Sequence, residues 1–234
     1  MRTDLNRQTI IENLIDPFSK EGFLSIDEVT GLIGLSNSYE SIRKNTGPIT
    51  SIELKSEFKT NPLLVTIFDK IKQVIGPCEI YSAFFFYVDR PHIIHNDDNI
   101  NYPIVYRGIT LPLELEYIGE DTGYPSLCFF DQLYLGGGAK FFNKSKDIPT
   151  YYNKQVYEYS KVLNKNNNGI DKDIMEKYLT HLKIRWLEGL SFNSALRWKP
   201  TDALFFDSAR LHCASDFQRQ GIKSKFGMSI FTHL

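Results

Sequence analysis

His95, Asn96 and Asp97 form a His-x-Asp triplet, and a further histidine, His212, follows far downstream. Two imidazoles and one carboxylate can occupy one face of an octahedral metal and leave the opposite face open. Non-haem enzymes hold ferrous iron for reaction with dioxygen with this donor set. In an extended strand, residues i and i+2 point to the same side, so His95 and Asp97 can reach one ion together. His212 must then arrive from a strand distant in sequence and adjacent in space. A chain with 5 histidines and 28 acidic residues also supplies such a triplet readily by chance. A solvated histidine beside the polar run 96–99 is the plain alternative, so the surroundings of each ligand carry the argument.

The elements that must position these residues read as follows. The pattern of Leu5, Ile10, Ile11, Leu14 and Ile15 predicts a helix over 4–15, ended by Asp16-Pro17. Ser25 and Glu28 carry start signals for a short helix ending near Gly31 or Gly34. Asn61-Pro62 opens a cleaner helix that Gly76-Pro77 stops. From residue 78 the texture turns to strands: 79–88, 93–95, 107–117, 126–135, 203–206, 210–213 and 225–232, with Gly-, Asn-, Asp- and Pro-rich turns between them. Many short strands with helices ahead of them predict a mainly β fold, a jelly roll with flanking helices on one sheet. The expected organisation is one domain over 1–234: a helical part at 1–77, a jelly-roll core at 78–135 and 199–234, and an insertion at 136–198. That insertion opens on a flexible Gly136-Gly137-Gly138 turn, carries a polar tip at 164–169, and holds a helix over 171–190.

Composition narrows the function. A net charge of −1 argues against nonspecific nucleic-acid binding, which needs a strongly basic surface. No apolar run reaches membrane-spanning length, and the N-terminus reads as a polar helix rather than a signal peptide. Cys78, Cys128 and Cys213 give no disulfide framework and no zinc spacing. A cytoplasmic, reducing setting is expected, with no membrane and no nucleic-acid partner; oligomeric state is not legible. His181, on the expected helix, reads as structural. His92, three residues before His95, would face away from the metal if the segment were a strand, and His233 would be exposed.

The stretch from Trp198 to His212 is the more telling one. A Pro200-Thr201-Asp202 turn feeds the apolar run 203–206, a polar break follows, and the next strand carries the histidine; a single strand from Lys225 then closes the chain. Here the sequence resembles the 2-oxoglutarate- and Fe(II)-dependent dioxygenases, nearest to their phytanoyl-CoA-hydroxylase-like and phage-type members. The resemblance runs from about residue 79 to the C-terminus, with Gly22-Phe23 as a weaker echo of the family's opening. It implies a double-stranded β-helix with His95, Asp97 and His212 as iron ligands, and 2-oxoglutarate as cosubstrate. It further implies hydroxylation of an unactivated C–H bond of a small molecule or amino-acid derivative by dioxygen, with release of succinate and CO2. An aspartate at 97, where halogenating relatives have a small residue, points to hydroxylation.

One feature departs from the family. Its last strand usually bears Arg-x-Ser, the arginine gripping the distal carboxylate of 2-oxoglutarate; here Gly227 stands two before Ser229. Lys225, on the same strand face, is the nearest cation and can hold a carboxylate as a point charge, with Gly227 leaving room for its stem. Lys225 and Ser229 are thus one expected anchor, Arg107 and Arg210 are competing ones, and Tyr87 could donate a hydroxyl or form wall. Alternatively, Lys225 is a solvated strand-edge charge. The insertion is expected to act as lid and substrate selector. Two other readings remain: a cupin-like metal enzyme that does not use 2-oxoglutarate, and a non-catalytic jelly-roll binding module.

Overall fold

The computed structural model describes residues 12–39, 50–97, 107–133, 170–187 and 189–233. The expected helix over 4–15, the Gly136–Gly138 turn, the polar tip and residues 136–169 of the lid assigned to 136–198 lie largely or wholly outside them. Among the described residues, nine strands form two sheets: β1 (Phe18–Lys20), β2 (Thr50–Glu53), β3 (Glu79–Val88), β4 (Arg107–Tyr117), β5 (Ser126–Leu133), β6 (Phe192–Arg197), β7 (Ala203–Asp207), β8 (Arg210–Ala214) and β9 (Ile222–His233). The larger sheet has the order β1-β7-β4-β9-β3-β2 and the smaller one β6-β5-β8, all neighbours antiparallel. This is a jelly-roll core.

Two helices, α1 (Ile26–Asn37) and α2 (Pro62–Ile75), cover the outer face of the larger sheet. The α1 start is a capping box: Glu28 N–H donates to the Ser25 hydroxyl, and Ser25 N–H to the Glu28 carboxylate. This helix runs past both glycines expected to stop it. Gly31 is there for a close approach: a Cβ at that position would come within 2.9 Å of Leu63 on α2. Asn61 caps α2 through Leu63 N–H, and Pro62 fills the first turn, where no N–H is needed. Gly76, at φ 84°, ends it in a conformation that favours glycine. Leu64, Ile67 and Ile71 are fully buried on the sheet, each worth about 1.5–3 kcal/mol.

Period-2 alternation divides the strands between this helical layer and the interior. Phe85 on β3, Ile109 and Leu111 on β4, and Phe226, Met228 and Ile230 on β9 face the helices. Their alternates, Phe84, Phe86 and Val88 with Thr110, Lys225, Ser229 and Phe231, face a cavity between the sheets. Pro112 is tolerated in β4 because β7 pairs only with residues 107–110 of that strand, and a bulge follows Pro112 on the β9 side.

Several boundaries depart from the sequence reading. The N-terminal part is not only helical, since β1 and β2 supply the two edge strands of the larger sheet. Residues 192–197, assigned to the insertion, are an edge strand of the smaller sheet. The helix expected over 171–190 is only α3 (Lys172–Tyr178), followed by a 3-10 turn at Ile184–Trp186. Its apolar spacing instead serves a folded-back cluster, in which Leu182, Trp186 and Leu190 pack over Cys128, Phe130 and Cys213 on the outer face of the smaller sheet. The expected strand at 93–95 reduces to an isolated bridge at His95. His233 is half-buried at the end of β9, 3.8 Å from the Glu79 carboxylate, rather than exposed.

Candidate metal centre and cavity

His212 lies on β8, and His95 is stitched to it by a two-way backbone bridge: His95 N–H donates to His212 O at 2.9 Å and His212 N–H to His95 O at 2.8 Å. Beyond the bridge, Asp97 N–H donates to Ser208 O at 2.9 Å. The three side chains come together. Asp97 Oδ1 lies 3.7 Å from His95 Nε2, Asp97 Oδ2 lies 3.3 Å from His212 Nε2, and one ligand atom from each residue falls within a 4.8 Å span.

The second nitrogen of each imidazole fixes what the first can do. His95 Nδ1 is 2.8 Å from Ile93 O and His212 Nδ1 is 2.9 Å from Arg210 O. A carbonyl accepts only, so each Nδ1 carries a proton, and Nε2 is the nitrogen left facing the shared space. Burial, then His92 and His212, hold His95 well below the ordinary imidazole value, against Asp97 and the Ile93 carbonyl. His95 is therefore neutral, and its approach to Asp97 is not an ion pair but two donors facing one point. Phe206 and Phe129, with ring centroids 4.8 and 5.7 Å from that of His212, wedge the ring in place. Two imidazoles with Nδ1 occupied and a carboxylate within reach suit a first-row divalent metal with open positions.

The cavity beside the triad has a volume of about 240 Å³. Phe84, Phe86, Trp198 and Phe231 give it an aromatic wall, and Lys225, Thr110 and Ser229 contribute polar groups. Lys225 is 4 % exposed and sits on an interior strand of the larger sheet, which overturns the solvated-edge alternative. Its ammonium lies 4.8 Å from the Trp198 ring centroid and 5.0 Å from that of Phe217. Burial drives its pKa down to about 8, the Cys128 and Cys213 thiols opposing. No hydrogen bond or ion pair from a described residue holds the ammonium. Gly227 plays another part than expected: a Cβ there would meet Leu111 O and Trp198 at 2.9 Å and Phe86 at 3.0 Å, so the space belongs to those rings rather than to the lysine stem.

The other sequence candidates lie elsewhere. Arg107 donates to the Asp207 carboxylate and Arg210 to the Phe130 and Ile15 carbonyls; neither lines the cavity. Tyr87 falls on the opposite side of β3 from Phe86 and Val88 and packs on the helical layer. His92, by contrast, does line the cavity, its ring centroid 4.1 Å from that of His95, because residues 91–94 are not a regular strand and period-2 counting fails there. It is not part of the converging ligand cluster. Trp198 was missed as a cavity residue: it follows β6, a strand the sequence reading did not recognise. Its place just before the Pro200 turn was the available signal.

No protein-family model matches the sequence, and no curated protein sequence does. The fold, however, is shared with solved structures. SnoK, a non-haem α-ketoglutarate-dependent carbocyclase from nogalamycin biosynthesis, aligns with a TM-score of 0.54 at 9 % identity, over 99 % of this chain and 83 % of that one. HygX from Streptomyces hygroscopicus, with nickel and 2-oxoglutarate bound, aligns with a TM-score of 0.50 at 10 % identity, over 99 % and 87 % of the two chains. The chain thus has the double-stranded β-helix fold found in 2-oxoglutarate-dependent oxygenases. Among the described residues, no helix is long and apolar enough to cross a membrane.

Proposed function

We propose that the protein is a non-haem Fe(II)- and 2-oxoglutarate-dependent oxygenase. In this reading it hydroxylates an unactivated C–H bond of a small molecule or amino-acid derivative, releasing succinate and CO2. One observation carries the proposal: a His-Asp-His donor cluster opens on the same cavity as a buried lysine that no described residue neutralises. A buried unpaired charge is costly, and a dianionic cosubstrate would relieve it. His95, Asp97 and His212 would hold the metal. Bound metal and 2-oxoglutarate would let dioxygen act as the oxidant, two of the four electrons coming from 2-oxoglutarate as it loses CO2 and two from the substrate, while the protein supplies orientation and shielding.

The chain's own residues have separable tasks. Lys225 pairs with the distal carboxylate of the cosubstrate, and Ser229, two strand positions beyond Gly227, donates its hydroxyl to the same group. Phe84, Phe86, Trp198 and Phe231 keep water from the reacting centre. Apart from Asp97 and Lys225, the lining described carries no carboxylate, lysine or arginine. Three unpaired cysteines fit a cytoplasmic, reducing setting.

The test is spectroscopic. Anaerobic Fe(II) and 2-oxoglutarate together should give a weak visible charge-transfer band that His95→Ala and Lys225→Ala both abolish. Metal binding with no response to 2-oxoglutarate would leave a cupin-like metal protein instead, and no metal binding would leave a binding module. Succinate release stimulated by candidate compounds then identifies the substrate.

A further inference from the structure

Arg107, Asp207 and Arg210 form a charged cluster away from the cavity, with 4 %, 1 % and 6 % exposure. Asp207 Oδ1 accepts from Arg107 Nη1, and its Oδ2 accepts from Ile15 N–H at 3.0 Å, with Arg210 Nη2 at 3.8 Å. Arg107 Nη2 donates to Asn13 O, and Arg210 donates to Ile15 O at 3.2 Å and Phe130 O at 3.3 Å. Three strands (β4, β7 and β8) and the segment ahead of β1 therefore meet on one carboxylate, and Arg210 ties in β5 through the Phe130 carbonyl. An apolar cluster in its place would be at least as stable, because buried ion pairs barely repay their desolvation. Charged groups add directional fixing at this point.

What they fix is a corner. Asp207 ends β7 in the larger sheet, Arg210 begins β8 in the smaller one, and only Ser208 and Ala209 lie between. Ser208, fully buried, offers the carbonyl that receives Asp97 N–H. Asp97 is the member of the triad outside any strand or bridge, whereas His95 and His212 secure each other.

We propose that Asp207 is a positioning residue for the metal site: clamped by Arg107, it holds the β7–β8 corner so that the Ser208 carbonyl sets the backbone of Asp97 facing the two histidines. The inference rests on reading the triad as a metal site. Burial pushes the Asp207 carboxyl up to about 6, against Arg107, the Ile15 N–H and Arg210, which leaves it ionised at neutral pH.

The experiment compares wild type, Asp207→Asn and Leu64→Ala, the last a control whose cavity lies under α2, remote from the corner. Two quantities are read: hydrogen exchange of the Asp97 amide by NMR, and Co(II) affinity by titration. Asp207→Asn should accelerate Asp97 exchange well beyond the control and weaken Co(II) binding by about tenfold, the lower end of the loss seen when support of a ligand is removed. Arg107→Lys, which keeps the charge but loses the fork, should shift both in the same direction by less; it carries the same readouts if Asp207→Asn does not fold. The proposal is overturned if the variant loses global stability as the control does while Asp97 exchange and Co(II) affinity stay at the control's values. A wild-type protein that binds no Co(II) would sink the metal reading instead, and Asp97 exchange would still decide whether Asp207 holds that backbone.

Discussion

An ammonium boxed between two aromatic rings and shut off from bulk water is an unfavourable place for a positive charge until an anion joins it. Lys225 therefore has opposite pH signatures alone and in complex. Its value is about 8 in the folded chain against an ordinary 10.5. Below pH 8 folded and unfolded chains both carry the proton. Between the two values the folded chain has released it while the unfolded chain keeps it, so the ligand-free protein gains stability as pH rises through that window. Denaturant melts at pH 7.5 and 9.5 should show a gain that Lys225→Met lacks. Affinity for 2-oxoglutarate should run the other way and fall above pH 8, because the carboxylate requires the charged amine. Titrations of wild type at the same two pH values check this. At the triad, His95→Ala or His212→Ala should remove divalent-metal binding outright while leaving the far-ultraviolet dichroism unchanged. Only two donors remain in either variant, and the fold's apolar layers do not include them.

Strand faces set which side chains can meet, and Gly108 on β4 shows how tightly. A Cβ there would come within 2.6 Å of the Phe206 ring, which in turn leans on His212. Gly108→Ala should cost about 1–3 kcal/mol of stability by overpacking. It should also weaken metal binding by pushing Phe206 against the histidine, measured by denaturant titration and Co(II) titration side by side. This strand logic is also what was legible beforehand. Alternation placed Lys225 with Ser229 on a shared face, and cap residues marked the starts of α1 and α2; His95 and Asp97 converge as expected, but from an irregular segment rather than a strand. Where alternation had no purchase, the reading slipped. His92 was sent to the wrong side because its segment is irregular. The run 171–190 has helical spacing in sequence, yet its apolar residues are used by a chain that turns back on the smaller sheet. Arg107 and Arg210 looked like cosubstrate anchors, and nothing local reveals that a carboxylate from β7 and carbonyls from the N-terminal segment take them up. Pairing over a separation of 100 residues is tertiary information.

At the scale of the whole molecule, two sheets face each other with helices on one outer face and the α3 cluster on the other, and the ligand cavity lies between the layers. Anything that fills that cavity ties the layers together and so stabilises the fold by mass action. Saturating Co(II) with 2-oxoglutarate, at about a hundred times the dissociation constant, should add about 2.7 kcal/mol. In a chain of this size that is a rise in Tm of roughly 5–11 °C, readable by calorimetry and absent in His212→Ala. The core layout was legible from the order of strand-like runs; the membership of β1, β2 and β6 was not, because short segments gain their partners only from the assembled sheet.

The chain has only two tryptophans, and they stand in different compartments. Trp186 is buried over the outer face of the smaller sheet, while Trp198 lies directly under the Lys225 ammonium. The protein thus carries its own optical gauge: an anion drawn to that ammonium changes the field on one indole and leaves the other as an internal reference. In a Trp186→Phe background, intrinsic fluorescence should follow cavity filling in real time, with no label attached.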